Sequence, residues 1–431
     1  MDIKQSLAKR TPFFYGWVIV AAAGSTNFVR NSAATLTIAV FVFPMNEDLG
    51  WSRSLIVGAA AAGGIAAMFA SPIAGWLLQR FGPRALLTGS VLALGLSILS
   101  IRWVGAPAAF YLAYGVGRVI FASPVQIGAA TVVAQWFIRR RGRATAILGL
   151  AHSLGMGFFP LFAQLLINAN GGDWRMAWFW LGLTVWIVAL PPVFFLMIGR
   201  PEEVGLRPDG DIAETDAANS ASRIPEGPQW TLQEAMRTPA MWMLAVVGGL
   251  TFFIHTGVNI HQAAFLRDQG ISATVAASAL MVMAVGTGVG SLVWGNLLDR
   301  VSTTLVYVGV CAWLGTVALL FLLVDSAPVA FVVAALFGVG LGGLLVVPPV
   351  VLANYFGRRS LGAIRGATEP FVSGGQAIGA VGAGLIYDTT GSYTATFPVF
   401  TAAAVIGIVL VFLARAPAHP RPAVAADAPT A

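Results

Sequence analysis

Long apolar runs separated by short polar breaks fill almost the whole chain. They fall at about 15–43, 54–79, 85–104, 108–135, 144–169, 175–198, 239–268, 273–297, 304–324, 328–353, 366–389 and 395–414. Each is long enough for a helix that crosses a hydrocarbon core roughly 30 Å thick, which takes about 20 residues. The pattern therefore predicts an all-α membrane protein with twelve transmembrane helices. The first run follows Lys4, Lys9 and Arg10, as in a signal peptide, but it is too long for one and more spans follow. It is read as a retained first helix. One stretch breaks the pattern, from Gly199 to Thr238, with eight acids, four arginines and prolines at Pro201, Pro208, Pro225 and Pro228. It predicts a flexible linker with one short helix near Leu232–Met236. The chain then divides into a six-helix half (1–198), a linker (199–238), a second six-helix half (239–414) and an Ala/Pro-rich tail (415–431) expected to be disordered.

Composition agrees. Of 431 residues, 57% are hydrophobic and 10% charged, against about 45–50% and about 25% in a soluble domain. The pI of 10.1 does not mean nucleic acid, because the arginines sit in short segments between apolar runs and form no continuous basic surface. Their placement sets an orientation. The termini and even-numbered loops carry 19 of the 25 basic residues, whereas the opposite loops carry only Arg53, Arg102, Arg175 and Arg267. By the positive-inside rule both termini and the linker are expected in the cytoplasm, in a multi-pass protein of a prokaryotic inner membrane. The single cysteine, Cys311, excludes an intrachain disulfide and a cysteine metal site. No nucleophile elbow, metal-ligand spacing or phosphate loop stands out, so neither an enzyme nor a cofactor is expected.

The halves repeat each other. Gly75-Trp-Leu-Leu-Gln-Arg80 matches Gly295-Asn-Leu-Leu-Asp-Arg300, Tyr114-Gly-Val-Gly117 matches Phe337-Gly-Val-Gly340, and Trp136-Phe137 before an arginine run matches Tyr355-Phe356 before Arg358-Arg359. Two parallel repeats suit a carrier with its site between the halves. The loop Gly75-Trp-Leu-Leu-Gln79-Arg80-Phe-Gly82-Pro-Arg84 resembles the signature of the major facilitator superfamily, with Gln79 in place of the usual acid and Asp299-Arg300 retained in the second copy. Tyr15-Gly-Trp17, Glu47-Asp-Leu-Gly-Trp-Ser-Arg53, Asp173-Trp-Arg175, Arg200-Pro-Glu-Glu-Val-Gly-Leu-Arg-Pro-Asp-Gly210 and Tyr387-Asp-Thr-Thr-Gly-Ser-Tyr393 resemble its monocarboxylate-porter and oxalate/formate-exchanger branch. The resemblance implies the major facilitator fold, alternating access, and gating roles for Asp299, Arg300 and Arg80. That branch commonly carries a substrate-binding arginine in the eighth span. Here that span has no charged residue, so the carboxylate-porter label does not transfer intact.

Charges at bilayer depth are costly and face the bundle interior. Arg30, Asn27 and Asn31 form one polar patch in the first span. Thr251, His255, Asn259 and Gln262 form a helical stripe in the seventh. Tyr111, Tyr114 and Arg118 lie in the fourth, with Gln126 further on, His152 is in the fifth, and Glu369 opens the eleventh with Ser373 and Gln376 behind it. Asn27, Arg30, Asn31, Tyr114, Arg118, His255, Asn259 and Gln262 are the candidate substrate contacts. His152, His255 and Glu369 join Asp299, Arg300 and Arg80 as candidates for coupling or gating. Bland readings compete: Arg118 as scaffold, His152 as an interhelical hydrogen bonder, Glu369 as a latch near the cytoplasmic ends. Apart from Glu369 no carboxylate lies well inside a span, so the two buried arginines have no evident acidic partner at their depth. An anionic substrate satisfies them best, since a guanidinium matches a carboxylate bidentately. The expected protein is a secondary carrier, expected to be a monomer, for a small organic anion such as a monocarboxylate, with a proton or a counter-anion as the coupled species. Any proton is expected on a histidine or on the substrate. An efflux carrier for hydrophobic or cationic compounds is the alternative, and a membrane receptor the remote one.

Overall fold

The computed structural model describes residues 11–210 and 229–417. The middle of the expected linker and the end of the expected tail lie outside the described residues. The first span is two helices, Gly16–Val29 and Thr35–Leu49, joined by a 3-10 segment Arg30–Ala33. The second and third spans run through Arg53–Ser100, broken only at Gly82, whose φ of 78° turns the chain back. That is a left-handed conformation glycine adopts without cost. The fourth span is Pro107–Ala122 and Pro124–Trp136, the fifth Arg141–Ala169, and the sixth Trp174–Pro191 with a wider turn at Pro192–Leu196. The short linker helix forms at Leu232–Met236, where Thr231 and Glu234 make a reciprocal capping box. The second half comprises Pro239–Asp268, Ala273–Leu298, Thr303–Leu320, Ala327–Phe356, Leu361–Thr390 and Thr396–Leu413.

Among the described residues ten helical runs are long and apolar enough to span a bilayer. One of them, Leu55–Trp103, holds two spans hinged at Gly82. The eleventh span, Leu361–Thr390, is as long as its neighbours, but glycines, Glu369 and Gln376 dilute its apolar character. Together these give twelve. Large side chains such as Phe69, at 71% exposure, and Val285, at 70%, stand on the outer surface. In water such a surface would be an aggregation liability; in lipid it is at home.

The buried apolar residues of the N-terminal half cluster apart from those of the C-terminal half, which take in only Ala134 and Ala146 from the other side. The halves meet where the fifth helix packs on the eighth and the second on the eleventh. Small residues permit this approach: a Cβ on Gly75 would lie 2.7 Å from the Gly362 carbonyl oxygen.

Candidate functional site

Two helix breaks create the site. Arg30 begins the 3-10 segment that interrupts the first span, and such segments inside helices often mark hinges. The fourth span breaks at Ser123, ahead of Pro124. Proline supplies no N–H and disrupts the preceding turn, and just upstream the Phe121 carbonyl accepts instead from Arg30 Nη1 at 2.8 Å. The same Nη1 donates to Gln126 Oε1 at 3.0 Å, and Nη2 lies 3.2 Å from His152 Nδ1. Asn31 Nδ2 also points at His152 Nδ1, at 3.2 Å. Since both neighbours are donors, this hydrogen-bond pattern assigns Nδ1 a lone pair and the ring the neutral Nε2–H tautomer.

These groups line a cavity of about 60 Å³ between the halves, room for a few waters. Its walls come from Leu244, Phe252, Leu344, Leu345, Val351, Leu352 and Val372, and its polar lining includes Asn27, Arg30, Gln126, His152, Tyr307, Arg365 and Glu369. Arg30 is 3% exposed, and among the described residues neither its Nε nor the Asn27 Oδ1 has a partner. Two guanidinium groups face one carboxylate, so the lining carries a net charge of +1.

The expectation that the arginines lack an acid at their depth is corrected. Glu369 is buried in the central cavity, and Gln126 Nε2 donates to its Oε1 at 3.4 Å while Gln126 Oε1 holds Arg30. Arg365 falls just before the expected eleventh span, which begins at about 366. It lies instead inside the eleventh helix, 4% exposed, and donates to the carbonyls of Gln126 and Ile127 across the interface. No apolar signal marks these positions, because the eleventh helix is poor in large apolar residues where it crosses the partner half.

Other candidates lie elsewhere. Tyr114 is fully buried, donates to the Ala33 and Ala34 carbonyls, and stacks on Phe110, so it belongs to the core of its half. Arg118 does not line this cavity. It converges with Arg30 on the Phe121 ring, the two guanidinium carbons lying 4.5 and 4.8 Å from its centroid, a cation–π environment. His255 packs between Phe252 and Phe337, and Asn259 reaches only the Met283 sulfur. Gln262 faces a separate small cavity with Thr396 inside the second half. The seventh-span stripe is thus real as a pattern, yet none of its four residues lines the Arg30 cavity.

Below the cavity the halves are tied at the arginine-rich end. Asp299, following the eighth helix, accepts from the backbone N–H groups of Gly142 and Arg143 at 2.8 and 3.2 Å, the start of the fifth helix. Burial raises its carboxyl above the usual carboxylate range, against the pull of those bonds and of Arg143. Arg141 donates to the Asn354 side chain, and Arg358 donates to the Gln135 carbonyl at 2.7 Å and to Glu202. Arg80 and Arg300 are exposed and take no part in these ties; Arg80 lies against Trp76 and Phe81 of its own loop. The repeat-related position of Asp299 is Gln79, which reaches only Ser360, at 3.5 Å. One tie carries a charge and the other does not. Gln79→Glu is expected to strengthen the weaker one by about 0.5–1 kcal/mol, since an anion there faces a helix N-terminus. Reactivity of a cysteine introduced behind these ties should fall roughly twofold to fivefold; unchanged reactivity would show that the second tie does not matter.

A two-half helical bundle closed at one end over a central polar cavity is the architecture of an alternating-access carrier. A sequence profile of the Major Facilitator Superfamily matches residues 22–266 and 254–431, and the chain belongs to that family of transporters. It is similar to an uncharacterised MFS-type transporter of Escherichia coli, YhjX, with 26% identity over 68% of this chain and 69% of that protein. It is also similar to monocarboxylate transporter 13 of Bos taurus, with 29% identity over 77% of this chain and 73% of that one. The fold matches the human organic anion transporter MFSD10, with a TM-score of 0.71, 16% identity, and coverage of 93% of this chain and 100% of that one. It matches the proton:xylose symporter XylE with a TM-score of 0.73, 13% identity, and coverage of 93% and 95%.

Proposed function

We propose that this transporter carries a small organic monoanion, of the monocarboxylate type, bound at Arg30 between the two halves. The observation that supports it is the cavity's charge: two arginines against one glutamate, with Arg30 Nε unspent and every other wall apolar or neutral. That excess of positive charge attracts a monoanion, and its short hydrocarbon part meets the apolar wall. A cation would add to an existing positive charge, which disfavours the alternative of a cation-efflux carrier. The similarity to a monocarboxylate transporter points the same way. A thermal-shift screen of purified protein against carboxylates, amines and sugars tests this, because a ligand that binds only the folded state raises stability. Stabilisation by carboxylates is expected; stabilisation by amines alone would reverse the reading.

The arginine-rich end is assigned to the cytoplasm, so the closed gate described above faces inward. Exposed Ala106 sits at the other end and exposed Arg359 at the arginine-rich one. The native Cys311 is buried, so background labelling is low. A membrane-impermeant maleimide applied to intact cells should label Ala106→Cys and spare Arg359→Cys; the opposite result would invert the topology.

A further inference from the structure

The Gln126 carboxamide stands between the two charged groups that matter most. Its oxygen holds Arg30 of the first half and its nitrogen holds Glu369 of the second. We propose that Gln126 is an internal substitute for the substrate: it occupies Arg30 when the site is empty, and an arriving anion displaces it, with one proton from solvent taken up by Glu369. This rests on the anion-carrier reading above and names its coupled species and the residue that carries it.

The chemistry closes. An anion that engages Arg30 end-on, through Nη1 and Nη2, takes the Nη1 position now held by Gln126 Oε1. The freed amide oxygen then needs a donor, and ionised Glu369 has none to offer. Protonated Glu369 does: once the freed carboxamide turns over, its O–H donates to Gln126 Oε1, reversing the polarity of the present contact. The same step removes a negative charge from beside the incoming anion, so the lining offers +2 rather than +1 to the substrate. Because binding free energies are reciprocal, protonation tightens anion binding as much as the anion favours protonation.

The surrounding groups leave the proton few other places. Glu369 is faced by Arg365 on its own helix, by Arg30 from the first span and by Gln126 from the fourth, with His152 and Tyr307 on the same cavity. His152 presents its lone pair to Arg30 and Asn31, both donors, and a proton on that nitrogen would oppose a guanidinium. His255, favoured from the sequence, is not in the lining.

The test uses purified full-length protein with sodium acetate, lactate and benzoate as probes, measuring dissociation constants from pH 5.5 to 7.5 and proton uptake in weak buffer. Wild type should take up close to one proton per anion bound at the alkaline end. Its affinity should rise with acidity, towards about tenfold per pH unit there. Glu369→Gln should bind with little pH dependence and no proton uptake. Gln126→Leu should bind several-fold more tightly, because a competitor for Arg30 is gone; weaker binding would make Gln126 an ordinary substrate contact and overturn the proposal. Arg30-dependent binding by wild type with no proton uptake would overturn it while leaving the anion-carrier reading intact. Failure of all three probes to bind would remove both.

Discussion

Arg30→Gln is expected to abolish transport and to weaken binding of a stabilising carboxylate at least about 100-fold. Hydrogen bonds to a charged group are worth about 1.5–3 kcal/mol each, and a factor of ten corresponds to 1.4 kcal/mol, so losing a bidentate contact reaches that range. The variant also leaves the Phe121 carbonyl and Gln126 Oε1 without their present donor, so folding should be checked by size exclusion and melting temperature. Arg30→Lys separates the two contributions. It keeps the charge and loses the fork, and it should retain slow transport with affinity reduced roughly tenfold. Unchanged affinity in the glutamine variant for a proven anionic substrate would remove Arg30 from the site.

Asp299→Asn is expected to open the gate. The carboxylate serves two backbone N–H groups at the start of the fifth helix and lies 3.6 Å from Arg143 Nε. An asparagine keeps one carbonyl acceptor and no charge, and the change should destabilise the closed state by about 2 kcal/mol. That corresponds to a shift of roughly thirtyfold in the ratio of closed to open forms. Labelling of a cysteine placed behind the gate should accelerate accordingly, while a cysteine at Ala106 should become less reactive if the other end closes in step. Glu in place of Asp299 should behave far better than Asn, since charge rather than shape is at stake. Equal labelling rates in wild type and Asp299→Asn would show that the remaining ties, at Arg141–Asn354 and Arg358–Gln135, suffice.

Apolar runs alone identified the membrane class and the helix count. A helix in lipid must satisfy its backbone internally and present apolar side chains outward, so these features are local and leave a continuous mark on the sequence. The repeat between residues 75–80 and 295–300 is equally visible, because both copies meet the same demand for small residues and a helix-capping group. Arg30, Asn27 and His152 were also legible as polar residues where the solvent is hydrocarbon. What the pattern could not show is which of several polar stripes share one cavity. Helical spacing says that His255, Asn259 and Gln262 lie on one face; it does not say which neighbour that face meets, and rotation of the seventh helix turns it toward Phe337, Met283 and Thr396. Nor does spacing reveal that Arg365 and Glu369, from the other half of the chain, come level with Arg30. That depends on the close crossing of the second and eleventh helices at Gly75 and Gly366 and on the break at Ser123–Pro124. Span number and span type follow from each segment's own exchange between water and lipid; the charge balance of the site follows from packing between segments more than 200 residues apart, which only the tertiary structure decides.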